Sequence, residues 1–322
     1  MNDFLLIQPR QEDIAGQPIL RLLPSAKCRS VGPFVFFDHM LEQRYPAGSG
    51  MNIQQHPHIG LSTLTYLFEG QLQHKDSLGS DQLVGPGEVS WMTAGNAVAH
   101  IERTPQALFD SGSTLHGLQV WLALPCADEQ MAPSYNHYPA SSLPCSSSMG
   151  VDICLIAGSG FCLESPVAVR SPTLYAELQL AAGATLQIPP EHSERALYLI
   201  EGEASLDEQG LPLRGLLVIP EGQTATLSAC TQSHLVMIAG EPIGPRRINW
   251  NFVASDQALI IRPGNAGLRG TGRACRAKTR VSNCPHCGVA GRPEDFPPPC
   301  APLRLEHLGE KIVHRLEGPC RD

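Results

Sequence analysis

Two short segments of the chain carry side chains that commonly bind metal ions, spaced two residues apart. The first segment contains His56 and His58, and the second contains His100 and Glu102. Because alternate residues of an extended strand point to the same side, each segment would present two ligands to one site. Two neighbouring strands would then supply three imidazoles and one carboxylate to a single ion. This donor set suits iron, and also manganese, nickel, copper or zinc, with positions left open for substrate or dioxygen.

A third polar pair with the same spacing, His74 and Asp76, lies between these two segments. Such a pair could orient a ligand imidazole from outside the ligand set. We favour the more ordinary interpretation, a polar contact at the end of a strand, because a turn signal follows at Leu78-Gly79-Ser80.

The elements that must position these residues are predicted to be β-strands. Up to residue 260, short apolar runs alternate with Gly, Pro and Asp turns about every ten residues, which is typical of an antiparallel sandwich or barrel. The run Tyr66-Leu67-Phe68-Glu69-Gly70 recurs as Tyr198-Leu199-Ile200-Glu201-Gly202. Two copies of one small barrel, packed together, would explain this repeat. The second copy lacks both ligand segments, so only the first is predicted to hold a metal.

The domain organisation is predicted from changes in composition along the chain. Residues 1–130 would form the metal-binding barrel and residues 151–260 the second barrel, with a linker or long loop over 131–150. Residues 261–322 are rich in Arg, Gly, Pro and Cys, lack apolar periodicity, and are basic where the preceding chain is acidic. We expect this tail to be irregular and disordered, and to be the product of a frameshift.

Composition narrows the classes of function. The chain has 322 residues, with 23 basic and 31 acidic residues, and this acidic balance disfavours nucleic acid as a partner. No stretch reaches the ~18–20 apolar residues of a membrane span, and the N-terminus lacks the basic region of a secretory signal. The cysteines before residue 260 are scattered singly, which predicts reduced thiols. A cytoplasmic location is therefore expected.

Several of these motifs together resemble one known family, the pirins. The resemblance covers residues 1–260, and it is carried by the runs Ser30–Met40, His56–Gly70, His74–Ser80, Trp91–Gly95, His100–Glu102, His116–Trp121, Glu241–Ile243 and Asn249–Val253. Pirins belong to the cupin superfamily and contain two small β-barrels. The resemblance therefore implies an all-β bicupin, two antiparallel β-barrels packed together and followed by the irregular tail.

The resemblance also implies a ligand set and an activity. The metal ligands of the family fall on His56, His58, His100 and Glu102, and Fe(II) is the expected ion. Some pirins oxidise quercetin, which implies a quercetin 2,3-dioxygenase acting on a flavonol-like small molecule and dioxygen. Glu102 would be either a ligand alone or also the base that takes the hydroxyl proton, and the two roles have equal weight. The alternative function is a non-catalytic, redox-sensing metalloprotein that binds a protein partner.

Overall fold

The structure, a computed structural model, describes residues 4–261, and nearly all of their regular secondary structure is β-strand, as the sequence predicts. The first half forms β1 (Leu5–Ile7), β2 (Arg10–Ile14), β3 (Gln17–Leu23), β4 (Phe34–Tyr45), β5 (Asn52–His58), β6 (Leu61–Glu69), β7 (Leu72–Asp76), β8 (Asp81–Val84), β9 (Val89–Thr93), β10 (Val98–Arg103), helix α1 (Gln106–Ser111), β11 (Ser113–Ala123) and β12 (Ser134–Tyr138). The second half forms a 3₁₀ turn (Ala140–Ser142), β13 (Cys145–Ser148), β14 (Val151–Gly160), β15 (Leu163–Glu164), β16 (Thr173–Leu180), β17 (Thr185–Ile188), β18 (Glu194–Glu201), β19 (Ala204–Leu206), β20 (Gln209–Gly210), β21 (Leu216–Ile219), β22 (Ala225–Ala229), β23 (Ser233–Gly240), β24 (Arg247–Asn249), β25 (Phe252–Ala254) and helix α2 (Gln257–Ile261). The predictions of a disordered tail and a frameshift concern residues beyond 261, which lie outside the described residues.

Each half of the chain folds into one larger and one smaller antiparallel sheet. In the first barrel the strand orders are β12-β9-β6-β11-β4-β3-β2 and β5-β10-β7-β8. In the second barrel they are β1-β21-β18-β23-β16-β14-β13 and β17-β22-β19-β20. The central order β9-β6-β11-β4-β3 thus recurs as β21-β18-β23-β16-β14, and the repeated Tyr66 and Tyr198 lie on the matching strands β6 and β18. This confirms the predicted bicupin fold. Within residues 4–261, neither helix is long and apolar enough to cross a membrane.

The two larger sheets pack against each other through aromatic side chains. Phe34 lies edge-on to Tyr175, with ring centroids 5.9 Å apart, and Phe37 lies edge-on to Tyr198 at 5.1 Å. A buried polar contact joins the same surfaces, because His39 Nδ1 is 2.7 Å from the Tyr198 hydroxyl. Burial lowers the pKa of His39 to about 3, so its imidazole is neutral in this interface. The barrels therefore share one continuous core.

The chain crosses between the barrels more often than a division by residue number suggests. Strand β1, at the N-terminus, pairs with β21 of the second barrel. The stretch 131–150, expected to be a linker or long loop, contains β12, which pairs with β9, and β13, which pairs with β14. The Ser- and Pro-rich sequence of this stretch lacks apolar alternation, so its two strands gave no signal.

A second crossing brings the last described segment back onto the first barrel. Arg246 Nε lies 3.1 Å from Glu129 Oε1, and both side chains are almost fully buried. The Ser255 hydroxyl donates to Glu129 Oε2 at 2.7 Å, and the backbone N–H of Val253 donates to the carbonyl of Ile59 at 3.2 Å. These contacts hold the segment beside the first barrel. Moving it away would separate the buried ion pair and leave an uncompensated charge, which is costly.

The expectation of reduced thiols is wrong for one pair of cysteines. Cys145 and Cys154 lie directly opposite each other on β13 and β14 and form a disulfide. The hairpin brings together two cysteines nine positions apart, and this hairpin lies at the stretch predicted to be a loop. The other cysteines of the described chain are free thiols: Cys28, Cys126, Cys162 and Cys230.

Gly60 marks the closest approach of the returning segment to the first barrel. Its φ is +67°, and a Cβ at this position would lie 1.9 Å from the carbonyl oxygen of Val253. We expect Gly60→Ala to lower the free energy of unfolding by about 2–5 kcal/mol, since about 1–2 comes from left-handed backbone and about 1–3 from overpacking. Urea denaturation followed by tryptophan fluorescence measures this loss.

Gly222 provides the matched control, because its φ is +72° and no atom lies within 4 Å of the position of an added Cβ. Gly222→Ala carries only the backbone cost of about 1–2 kcal/mol. Equal losses in the two variants would contradict the close contact between Gly60 and the returning segment.

Candidate metal centre

The two ligand segments lie on neighbouring strands of the smaller sheet of the first barrel. Strand β5 pairs antiparallel with β10, which places His56 opposite His100 and His58 opposite Val98. Along β10, buried side chains alternate with partly exposed ones, and His100 and Glu102 are both on the buried side. Because side chains alternate between the two faces of a strand, His100 and Glu102 both point into the barrel.

The three imidazoles of these strands form a tight cluster. Ring centroids of His56, His58 and His100 are 4.3–5.0 Å apart, and His58 Nε2 lies 3.1 Å from His100 Nε2. Burial, assisted by the neighbouring imidazoles, holds the pKa of His58 and His100 well below the usual range. These two rings are therefore neutral, which is the form that binds metals. The ligand atoms of the three rings lie within 4.8 Å of one another, so the cluster could hold one ion.

Glu102 lies at the edge of this cluster and is anchored by the larger sheet. The Thr65 hydroxyl is 3.0 Å from Glu102 Oε1 and 2.7 Å from Gln119 Oε1. Ligand atoms of Glu102, His100 and His74 form a second group, also within 4.8 Å, that shares His100 with the first. The structure thus groups the three imidazoles, and Glu102 belongs to the second group, which shares His100 with the first.

His74 and Asp76 reach the cluster from the neighbouring strand β7. His74 Nδ1 is 3.3 Å from His100 Nδ1, and His74 Nε2 is 3.1 Å from Asp76 Oδ2. Asp76 Oδ1 accepts the backbone N–H groups of Leu78 and Ser80 at 2.9 and 3.0 Å. The pair therefore makes the strand-end contact favoured from the sequence and also contacts His100. One carboxylate oxygen caps the turn, and the other contacts the imidazole beside His100.

A cavity of about 580 Å³ opens beside the cluster, and His56, His58, His100 and Glu102 all line it. One wall is flat and aromatic, because Phe36 stacks on Trp121 with ring centroids 3.9 Å apart and an angle of 11° between the planes. The returning segment contributes two more lining residues, Trp250 and Asn251. The cavity is therefore shaped by both halves of the chain.

A charged pair lines another part of the cavity. Arg21 donates two hydrogen bonds to Asp38, of 2.8 and 2.7 Å, and its guanidinium carbon lies 4.5 Å from the centre of the Phe36 ring. Burial raises the pKa of Asp38 to about 6, although Arg21 opposes this shift. The pair joins β3 to β4 on the cavity side of the sheet.

Several site residues were not predicted from the sequence. Arg21, Asp38, Gln119 and Thr65 are successive cross-strand neighbours on β3, β4, β11 and β6. Arg21, Asp38 and Gln119 line one side of the cavity, and Thr65 continues the row to Glu102. These residues are far apart in sequence. Only the register of the sheet brings them together, so no local spacing could have identified them. Trp250 falls in a run that carried the family resemblance, yet nothing in that run indicated a role at the site.

The second barrel differs at the equivalent positions. Strands β17 and β22 take the places of β5 and β10, and they read Thr-Leu-Gln-Ile and Ala-Thr-Leu-Ser-Ala. Its interior is filled by apolar side chains, mainly leucines such as Leu155, Leu197, Leu199 and Leu235. Within residues 4–261, the clusters of metal-type ligands are both in the first barrel.

Comparisons with known proteins agree with this architecture. The sequence profile of the family Pirin matches residues 16–122, and that of the Pirin C-terminal cupin domain matches residues 175–263. A pirin-like protein of Caulobacter vibrioides is 40% identical over 259 residues, covering 80% of this chain and 90% of that protein. A Pseudomonas aeruginosa protein named as a candidate quercetin 2,3-dioxygenase is 33% identical over 261 residues, covering 80% and 81%. The crystal structure of quercetin 2,3-dioxygenase from Acinetobacter baumannii superposes with a TM-score of 0.75 at 30% identity, covering 87% and 97%.

Proposed function

The chain belongs to the pirin family, and on this premise we propose that it is an iron-dependent quercetin 2,3-dioxygenase. One observation carries the proposal: a cluster of metal-type ligands opens directly into a cavity of about 580 Å³. This volume lies within the range of about 300–1,000 Å³ that is typical of small-molecule sites. The similarity to the Acinetobacter baumannii enzyme supports the same reaction class.

The donor set fits a divalent first-row metal ion. His58 Nε2 and His100 Nε2 face each other at 3.1 Å, and both rings are buried. A cation at this point would accept the lone pairs of both nitrogens, which is how neutral imidazoles bind metals. We assign His56, His58, His100 and Glu102 as the ligands of Fe(II). Manganese, nickel, copper or zinc would bind the same donors, since geometry and cellular supply decide among them.

Fe(II) at this site would supply Lewis-acid polarisation of the substrate and redox chemistry with dioxygen. The residues of the chain have separate tasks. Glu102 would take the proton of the flavonol 3-hydroxyl, and the hydroxyl of Thr65 lies 3.0 Å from one of its oxygens. A carboxylate held in this way needs little reorganisation before it accepts a proton, which supports the role of a base in addition to that of a ligand.

The walls of the cavity suit a flat aromatic substrate. The stacked pair Phe36 and Trp121 presents a planar apolar surface, and Trp250 adds a third aromatic side chain. Aromatic rings prefer offset stacking or edge contacts with such surfaces, which would orient a flavonol ring system.

The alternative function is a redox-sensing metalloprotein that binds a protein partner without turnover. An enzyme needs an accessible cavity beside its metal, whereas a sensor can have a filled one. The cavity next to His56 and His58 therefore favours catalysis. Small-molecule substrate and dioxygen are the partners that the proposal requires.

Oxygen consumption tests the activity directly. Protein loaded anaerobically with Fe(II) is expected to take up dioxygen when quercetin is added, and to release carbon monoxide. His56→Ala should abolish the uptake, because it removes one ligand from the cluster. His137→Ala is the matched control, since His137 pairs with Glu88 at 3.0 Å on the same barrel and does not line the cavity. No uptake by wild-type protein holding one iron per chain would reject the enzyme and favour the sensor.

Glu102→Gln separates the two roles of the carboxylate. The three imidazoles should still retain iron, while turnover falls by about 10²-fold or more because the base is lost. The measurement is the rate of oxygen uptake per bound iron, with iron content determined on the same sample. If the iron-replete variant turns over like wild type, Glu102 is a ligand only.

A further inference from the structure

His74 and Asp76 contact the candidate metal centre but are not among its assigned ligands. The two side chains are 3% and 0% exposed, so they are shielded from solvent almost completely. The His74 ring also stacks on Tyr135, with centroids 4.2 Å apart and an angle of 12° between the rings. Such burial and double anchoring hold the ring in one orientation, with one nitrogen towards His100 and the other towards Asp76.

The hydrogen bonds of Asp76 determine which nitrogens carry protons. Its carboxylate already accepts two backbone N–H groups, which favours the ionised form, and an ionised carboxylate can only accept. His74 Nε2 must therefore donate to Asp76, and in the neutral form of the ring this leaves His74 Nδ1 with a lone pair. That lone pair can only accept, so the proton between the two imidazoles belongs to His100 Nδ1. The remaining nitrogen of His100, Nε2, then presents its lone pair towards His58.

We propose that Asp76 and His74 form a relay that fixes His100 in the tautomer and orientation required for metal binding. Both are positioning residues, because they act on the ion through His100. Imidazole ligands commonly donate their second N–H to such a partner, and its loss typically weakens metal binding 10–100-fold. This role rests on the proposed metal site, in which Asp76 and His74 orient the ligand His100.

The packing of His74 distinguishes this role from a purely structural one. If His74 only filled space beside Tyr135, a ring of similar size without nitrogens would replace it at no cost to metal binding. If His74 were itself a ligand, its loss would be as damaging as the loss of His56. The relay predicts a result between these two limits.

The test measures Ni(II) affinity of the metal-stripped full chain by competition with a chelating dye. His74→Phe keeps the stack on Tyr135 but removes both nitrogens, and Ni(II) should bind 10–100-fold more weakly. His74→Asn offers an amide oxygen near the position of Nδ1, and it should recover most of the affinity. His137→Phe removes the other histidine–carboxylate pair of this barrel and should bind like wild type. Circular dichroism of each variant confirms the fold.

A spectroscopic readout tests the tautomers independently of affinity. In Zn(II)-loaded protein with ¹⁵N-labelled histidine, NMR should show His100 protonated at Nδ1 and His74 protonated at Nε2. The relay is overturned if His74→Phe binds Ni(II) as tightly as wild type, or if it loses binding as completely as His56→Ala. Failure of wild-type protein to bind Ni(II), or unchanged binding by His56→Ala, would instead remove the metal site and the relay together.

Discussion

The antiparallel register of β5 on β10 is the constraint on which the rest of the site depends. It places His56 opposite His100 and brings the centre of the His58 ring to 5.0 Å from the centres of both of these rings. Because strand side chains alternate between faces, a slip of one residue would turn the imidazoles away from the barrel interior. The small sheet is in turn held by β7, which supplies His74, and the larger sheet supplies the hydroxyl of Thr65 beside Glu102.

The two barrels share one topology but fill their interiors differently. Polar and aromatic residues surround a cavity in the first barrel, whereas leucine side chains fill the second. A barrel that keeps a cavity and a cluster of neutral imidazoles gives up apolar burial, which is the main favourable term in folding. The shared aromatic core and the buried Arg246–Glu129 pair attach the first barrel to a fully packed neighbour. The second barrel therefore supports a site that it does not contain.

Local patterns in the sequence predicted the fold class and the paired strands of the site, because ligand spacing and apolar alternation are properties of neighbouring residues. The strand pairing of His56 with His100 follows from this kind of pattern. Gln119 and Trp250, which line the cavity, and Thr65, which contacts Glu102, could not be predicted in this way. Only sheet register or the returning segment brings them to the site. The Cys145–Cys154 disulfide was missed for a different reason, because the hairpin that carries it lacks apolar alternation.

The central claim is that one metal ion is bound by three imidazoles and a carboxylate inside the first barrel. Anomalous diffraction from crystals of the Ni(II)-loaded protein tests it most directly, because it locates the ion without assuming its ligands. The account predicts one strong peak at about 2.0–2.2 Å from His56, His58, His100 and Glu102, next to the Phe36–Trp121 wall. A peak elsewhere, or one in the first barrel that leaves any of these four residues unbound, would contradict it.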